Sequence, residues 1–147
     1  MRRVLIGLLC ALSVACSDDE GSGPEPIQIP GTYALETING QQLPYELLNF
    51  LNGAYVLSQV SGSMTLNPNM TFREESRVRE SFVDAVLGPV STDTTVVFTG
   101  TYEAQDSALL LTATQDAVVY FGFVSGNRLT LSYEVGDSLF TFVYRRN

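Results

Sequence analysis

From residue 31 onward, apolar and polar positions alternate with a period of two. Val56, Ser58, Val60, Gly62, Met64 and Leu66 take one side of a run whose other side is Tyr55, Leu57, Gln59, Ser61, Ser63 and Thr65. Successive side chains of a strand point to opposite faces, and an internal glycine marks a bend, so this predicts one long strand bent at Gly62. Phe72, Val78 and Phe82 share a face, while Arg73, Glu75, Arg77 and Arg79 take the other. Leu129, Leu131, Tyr133 and Val135 alternate with Thr130, Ser132 and Glu134.

Turn chemistry separates the runs at Asn67-Pro68-Asn69, Gln105-Asp106, Gln115-Asp116, Gly126-Asn127 and Gly136-Asp137. The result is eight strands: 31–38, 54–67, 70–83, 94–104, 107–114, 117–124, 128–135 and 138–145. No long helix is expected; residues 44–51 have room for one helical turn or two. The stretches "GTYALET" and "GTYEAQD", and "VSGSMTL" and "VSGNRLTL", echo one another, but no fixed short period marks a solenoid.

Eight antiparallel strands in sequence order can close into an up-and-down barrel, which removes exposed edges. If the first strand runs upward, the loops at 39–53 and 84–93 both fall at the top, and short turns and both ends of the domain fall at the bottom. Two long loops at one end describe a cup with a mouth. The alternative is an Ig-like β-sandwich, in which the first and last strands lie on separate sheets.

The first thirty residues follow a different pattern. Arg2 and Arg3 precede an apolar run of 11 residues, 4–14. About 20 residues are needed to span a bilayer, so the run reads as part of a signal peptide over 1–15. Ser13-Val14-Ala15 supplies small residues for cleavage, directly followed by Cys16. This resembles the lipobox of bacterial lipoproteins, which implies that the Cys16 thiol carries diacylglycerol, that palmitate-type acyl chains hold the protein in a membrane, and that Cys16 is the mature N-terminus. Ser13 stands where that family usually has leucine, with Leu12 one place earlier; ordinary secretion by cleavage after Ala15 is the alternative.

Residues 16–30 carry four acids with glycine and proline and little apolar surface, the composition of a disordered tether. Ser17 after the cysteine resembles the sorting pattern of outer-membrane lipoproteins, and Ser17-Asp18-Asp19-Glu20 resembles the acidic tags that carry some lipoproteins to the cell surface. The implied location is the cell envelope, lipid-anchored at the outer membrane.

A second resemblance lies in the domain. Gly31-Thr32-Tyr33 opening the first strand and Arg145 closing the last resemble the Gly-x-Trp and distal arginine of lipocalins. The resemblance implies that Tyr33 plugs the closed end and that Arg145 packs across it. Bacterial lipocalin-like lipoproteins are more similar, with a Gly-Thr-Tyr/Trp start, a following Asn-Gly and a terminal Tyr-Arg-Arg, so residues 31–147 are expected to form a lipocalin-like β-barrel domain.

Composition narrows the function. The 147 residues suit one domain, and 45% apolar content provides a core. The net charge of −8 argues against nucleic acid and against electrostatic adhesion to anionic lipid. All eight basic residues are arginine; lysine, histidine and tryptophan are absent. Without histidine the commonest general base is missing. Cys10 and Cys16 both precede the domain, which leaves it no disulfide framework and no Cys/His metal site. Neither an enzyme, nor a cofactor, nor a metal is expected, and the chain is expected to be a monomer.

Binding is the remaining chemistry. Glu74 and Glu80 fall on the apolar face with Phe72, Val78 and Phe82. One reading makes Glu80 a polar anchor near the mouth, with Glu74 deeper and bonded to an arginine; the other has a bulge or twist turn them into water. The aromatics Phe98, Tyr102, Tyr120, Phe121, Phe123, Tyr133, Phe140, Phe142 and Tyr144 either line a lipophilic pocket or simply fill the barrel. The predicted ligand-binding set is Phe72, Val78, Glu80, Phe82, Phe98, Tyr120, Tyr133 and Phe142, for a small hydrophobic or amphipathic molecule, neutral or cationic rather than anionic because Glu80 would repel an anion. The apolar segment "VDAVLGPV" at 83–90 reads as a portal lid, a protein contact or rim packing. The competing function is a protein-interaction module of the envelope, with a filled barrel and no ligand.

Overall fold

A computed structural model describes residues 28–115 and 118–147; the signal segment, Cys10, Cys16, the tether as far as Ile27 and residue 116 of the expected Gln115-Asp116 turn lie outside the described residues. The strands are β1 (Gly31–Ile38), β2 (Gln41–Gln42), β3 (Tyr45–Phe50), β4 (Tyr55–Leu66), β5 (Thr71–Asp84), β6 (Gly88–Gln105), β7 (Ala108–Ala113), β8 (Val119–Ser125), β9 (Arg128–Val135) and β10 (Ser138–Arg146). A short 3-10 turn covers Leu51–Gly53. From β3 to β10 each strand pairs antiparallel with the next, and β1 closes the ring between β10 and β4. Strands β1 and β4 to β10 therefore form a closed, eight-stranded, antiparallel up-and-down barrel, the lipocalin-like arrangement. Direct pairing of Tyr33 with Arg146 through Ile38 with Phe142 excludes the sandwich.

Tight turns set the registers. Asn39 and Gly40 both take positive φ (51° and 75°) between β1 and β2, as a type I′ hairpin requires. Two-residue turns likewise join β6 to β7, β8 to β9 and β9 to β10, with Asp106, Gly126 and Gly136 at positive φ.

The two expected loops at the top are largely strand. Residues 45–50 form β3, paired with β4 from Tyr45–Gln59 to Phe50–Tyr55, instead of a helical turn. Strands β5 and β6 stay paired up to Asp84–Gly88, which leaves a turn of residues 85–87 in place of the 84–93 loop. Asp84 Oδ1 accepts hydrogen bonds from the backbone N–H groups of Val86 and Leu87, each 2.8 Å, and these hold its carboxyl below the usual carboxylate range. Gly88-Pro89 looks like a strand breaker, yet β7 pairs with β6 only from Gly100 to Gln105. Above that point the outer edge of β6 carries no ladder, so the N–H that proline lacks is not needed there. Strands β3 to β6 thus extend past the ring as a four-stranded wing.

The bend in β4 is a bulge. Gln59 pairs with Val78 but Ser61 with Arg77, so Val60 is an extra residue. Met64 and Leu66 face the interior below it, whereas Gln59 does so above it. The single face predicted for Val56 through Leu66 therefore switches halfway, because one inserted residue inverts a period of two.

At the closed end Tyr33 is fully buried, and its hydroxyl donates to the Ile29 carbonyl at 2.6 Å. The Arg146 guanidinium lies 5.0 Å from the Tyr33 ring centre, donates to its hydroxyl at 2.5 Å and also bonds the Gln28 and Pro30 carbonyls. Burial raises the Tyr33 pKa against the opposing pull of Arg146. This corrects the expected closure by Arg145. Alternation along β10 sends Phe142, Tyr144 and Arg146 inward, so Arg145 points out and pairs with Glu36 at 2.7 Å. A Cβ on Gly31 would stand 3.2 Å from Arg146 Nη1, so Gly31 leaves the space in which this guanidinium sits.

Candidate functional site

The lower half of the barrel is filled. Tyr33, Met64, Leu66, Phe72, Leu111, Val124, Leu129, Leu131 and Tyr144 are each no more than 1% exposed. Tyr102 closes the same end, its hydroxyl donating to the Asn67 carbonyl at 2.7 Å. Above this layer the interior opens into a cavity of about 260 Å³. Its walls are Leu47 and Leu57, Val78, Val96 and Phe98, and Val118, Tyr120, Tyr133 and Phe142; Gln59, Glu74 and Ser76 are the polar lining groups. Ligand pockets typically run from about 300 to 1,000 Å³, so this one suits a small guest.

Five of the eight predicted residues, Val78, Phe98, Tyr120, Tyr133 and Phe142, come together on this cavity. Phe72 is buried beneath it, packed edge-on against Tyr120 at 6.4 Å. Glu80 and Phe82 are not among its lining residues. They sit in the wing, Glu80 exposed opposite Leu57 and Thr92, and Phe82 half-buried opposite Tyr55 and Val90. The expected anchor at Glu80 is thus corrected, because β5 runs on past the ring and carries Glu80 out with it. Phe121 and Phe123, read as possible pocket aromatics, face outward at 63% and 50% exposure, opposite in parity to Tyr120 and Val124.

The aromatic wall is continuous. Tyr133 stacks on Phe140 at 5.8 Å and on Phe142 at 5.6 Å, and meets Tyr120 edge-on at 5.3 Å. Pairs in this range add about 0.5–1.5 kcal/mol beyond area burial.

Glu74 lies at the floor, 5% exposed. Tyr120 Oη donates to its Oε2 at 2.8 Å, Tyr144 Oη to its Oε1 at 3.2 Å and Ser76 Oγ to Oε1 at 3.4 Å. No arginine bonds it: among the described residues Arg73, Arg77, Arg79, Arg128 and Arg145 all pair with acids on the outer face, and Arg146 is at the closed end. Burial raises the Glu74 pKa, against the three hydroxyl donors that lower it. Burial and the Glu74 charge together push Tyr120 and Tyr144 well above the ordinary tyrosine range.

A carboxyl whose pKa rises on folding binds its proton more tightly in the folded state, so its contribution to stability is complete below the ordinary value of 4.5 and is lost as pH rises through the raised value. Glu74→Gln, which keeps the shape and discards the charge, is expected to be more stable than wild type at neutral pH. The gap should shrink to a small constant below pH 4.5; thermal melts across this range check it. On the wing the sign is opposite. Arg79 and Arg77 hold the Asp93 carboxyl down to about 2, so its contribution disappears only in strong acid.

Sequence reasoning missed Gln59, Ser76, Leu57, Val96, Val118 and Leu47. The bulge at Val60 hid Leu57 and Gln59, and Leu47 was assigned to a helical turn. Val96 and Ser76 share parity with Phe98 and Glu74, which was a usable signal.

No protein-family model matches the chain, and no curated protein matches it either.

Proposed function

We propose that this protein is a lipid-anchored cell-envelope lipoprotein whose barrel is a cup for a small hydrophobic or amphipathic molecule. The observation that carries the binding reading is the half-hollow interior: a filled floor under a cavity of about 260 Å³ with mostly apolar and aromatic walls. A barrel built only as a scaffold would have side chains throughout. The test is a calorimetric screen of the purified full-length protein against matched neutral, cationic and anionic lipophiles. Saturable binding of at least one is expected, weakened about tenfold or more by Val96→Trp, which places an indole in the cavity. Binding by none would set the cup reading aside.

The anchor is proposed from Cys16 and its lipobox-like context. Residues 28–30 lie against the closed end, where Arg146 and Tyr33 bond their carbonyls. A tether leaving there turns the mouth away from the membrane. Cys16→Ala removes the acyl acceptor, so detergent partitioning should vanish and an uncleaved or soluble product should accumulate. Unchanged membrane fractionation would refute the anchor.

The interaction-module reading has one observation in its favour. At the tip of the wing Val83, Val86 and Leu87 are 61%, 90% and 78% exposed. Exposed apolar side chains gathered on one hairpin are the kind of feature that supports a contact surface.

A further inference from the structure

We propose that the cavity takes a small amine with an apolar body, inserted head first so that its ammonium group meets the Glu74 carboxylate at the floor. This rests on the cup reading above and names its ligand class. Glu74 lines the cavity and is 5% exposed. Its three partners are hydroxyls, which donate hydrogen bonds but carry no charge. The chain has no lysine or histidine, and every described arginine is committed elsewhere. A lone buried carboxylate is costly, and two things relieve it: a proton, or a cation from outside.

The site has room for that cation. Oε2 accepts one hydrogen bond, from Tyr120, and a carboxylate oxygen can accept two. The rings of Tyr120, Tyr133, Phe98 and Phe142 surround the same space, and aromatic faces attract an ammonium group. Leu57, Val78 and Val96 provide the apolar wall for the body of the guest. A carboxylate guest would meet like charge between apolar walls, and an alcohol would gain a hydrogen bond but no ion pair.

The groups facing Glu74 are Tyr120 from β8, Tyr133 from β9 and Tyr144 from β10, each with its pKa raised by burial and by Glu74, so all stay protonated near neutral pH. Strand β4 adds Gln59 and β6 adds Val96 and Phe98; Leu111 of β7 lies in the packed core, and Tyr33 of β1, raised by burial, lies at the closed end. Glu74 is therefore the group that titrates, and amine binding should fall as acid protonates it.

The experiment titrates the purified full-length protein with phenethylamine, phenethyl alcohol and hydrocinnamate at slightly alkaline pH. Phenethylamine is expected to bind about tenfold or more tighter than the alcohol, with hydrocinnamate weakest. Glu74→Gln should abolish the preference by bringing the amine's affinity down to that of the alcohol, and in wild type acid should weaken the amine much more than the alcohol. Equal affinity for amine and alcohol, or a preference that survives Glu74→Gln, overturns the proposal and leaves the cup. Binding by none of the three overturns both, and if the variant does not fold, the wild-type pH profile decides alone.

Discussion

Tyr33→Ala is expected to cost about 3–5 kcal/mol, the usual loss for truncating a large buried aromatic. The side chain is fully buried and plugs the closed end. Its removal opens a cavity, strips Arg146 of the ring under its guanidinium and leaves the Ile29 carbonyl without its donor. For a domain of this size about 4 °C of Tm accompanies each kcal/mol, so a fall of roughly 10–20 °C is expected by circular dichroism. Tyr33→Phe retains the ring and loses the hydroxyl bonds, at about 0.5–1.5 kcal/mol. Arg145→Ala removes an exposed pair with Glu36, worth about 1 kcal/mol at most. A Tyr33→Ala melt within a few degrees of wild type, or Arg145→Ala costing more than Arg146→Ala, would contradict this closed end.

Alanine at Gly100 or Gly122 is expected to be comparably damaging. A Cβ on Gly100 would overlap the Thr112 carbonyl oxygen and stand 2.7 Å from the Phe72 ring and 2.9 Å from Ala113 Cα. On Gly122 it would overlap the Thr130 carbonyl oxygen and lie 2.7 Å from Leu131 Cδ2. Backbone carbonyls held in a ladder cannot rotate aside as a side chain can, so the strands must separate. Overpacking costs about 1–3 kcal/mol where side chains yield, and these sites belong at or above the top of that range. Gly62→Ala is the control: its Cβ would meet the flexible Leu35 side chain at 3.1 Å, and a much smaller loss of Tm is expected. Equal losses at Gly62 and Gly100 would show that the close approach of strands is not the cause. Both glycines stand where neighbouring strands come unusually near, as tight curvature in a small barrel demands.

Much of this barrel was legible along the chain. The alternation that put Leu129, Leu131 and Tyr133 on one face holds, with Leu129 and Leu131 fully buried. The turns at Gly126-Asn127 and Gly136-Asp137 bound β8, β9 and β10. Such features are local: a strand with one buried face records it every second residue, and a turn needing positive φ records it as glycine, asparagine or aspartate. The errors have equally definite origins. One residue too many at Val60 reversed the face of β4, and a one-residue difference at the C-terminus exchanged Arg145 for Arg146. The first is an inserted residue that a period of two cannot reveal; the second came from the family resemblance, whereas the parity of Phe142 and Tyr144 points to Arg146.

What the sequence determined, then, is the eight strands of the ring and most of their limits, because each depends on neighbours within a few positions; Tyr33 at the closed end came from the family resemblance, and β2 and β3 appeared only in the fold. The tertiary structure alone decided the site. Glu74 meets Tyr120 and Tyr144 across separations of 46 and 70 residues, and nothing near Glu74 in sequence foretells hydroxyl partners in place of an arginine. The hollow upper half has the same origin. Whether eight inward faces fill their ring depends on summed side-chain volumes, on the bulge that turns Gln59 inward and on the length by which β5 and β6 outrun β7, and those quantities exist only once the ring has closed.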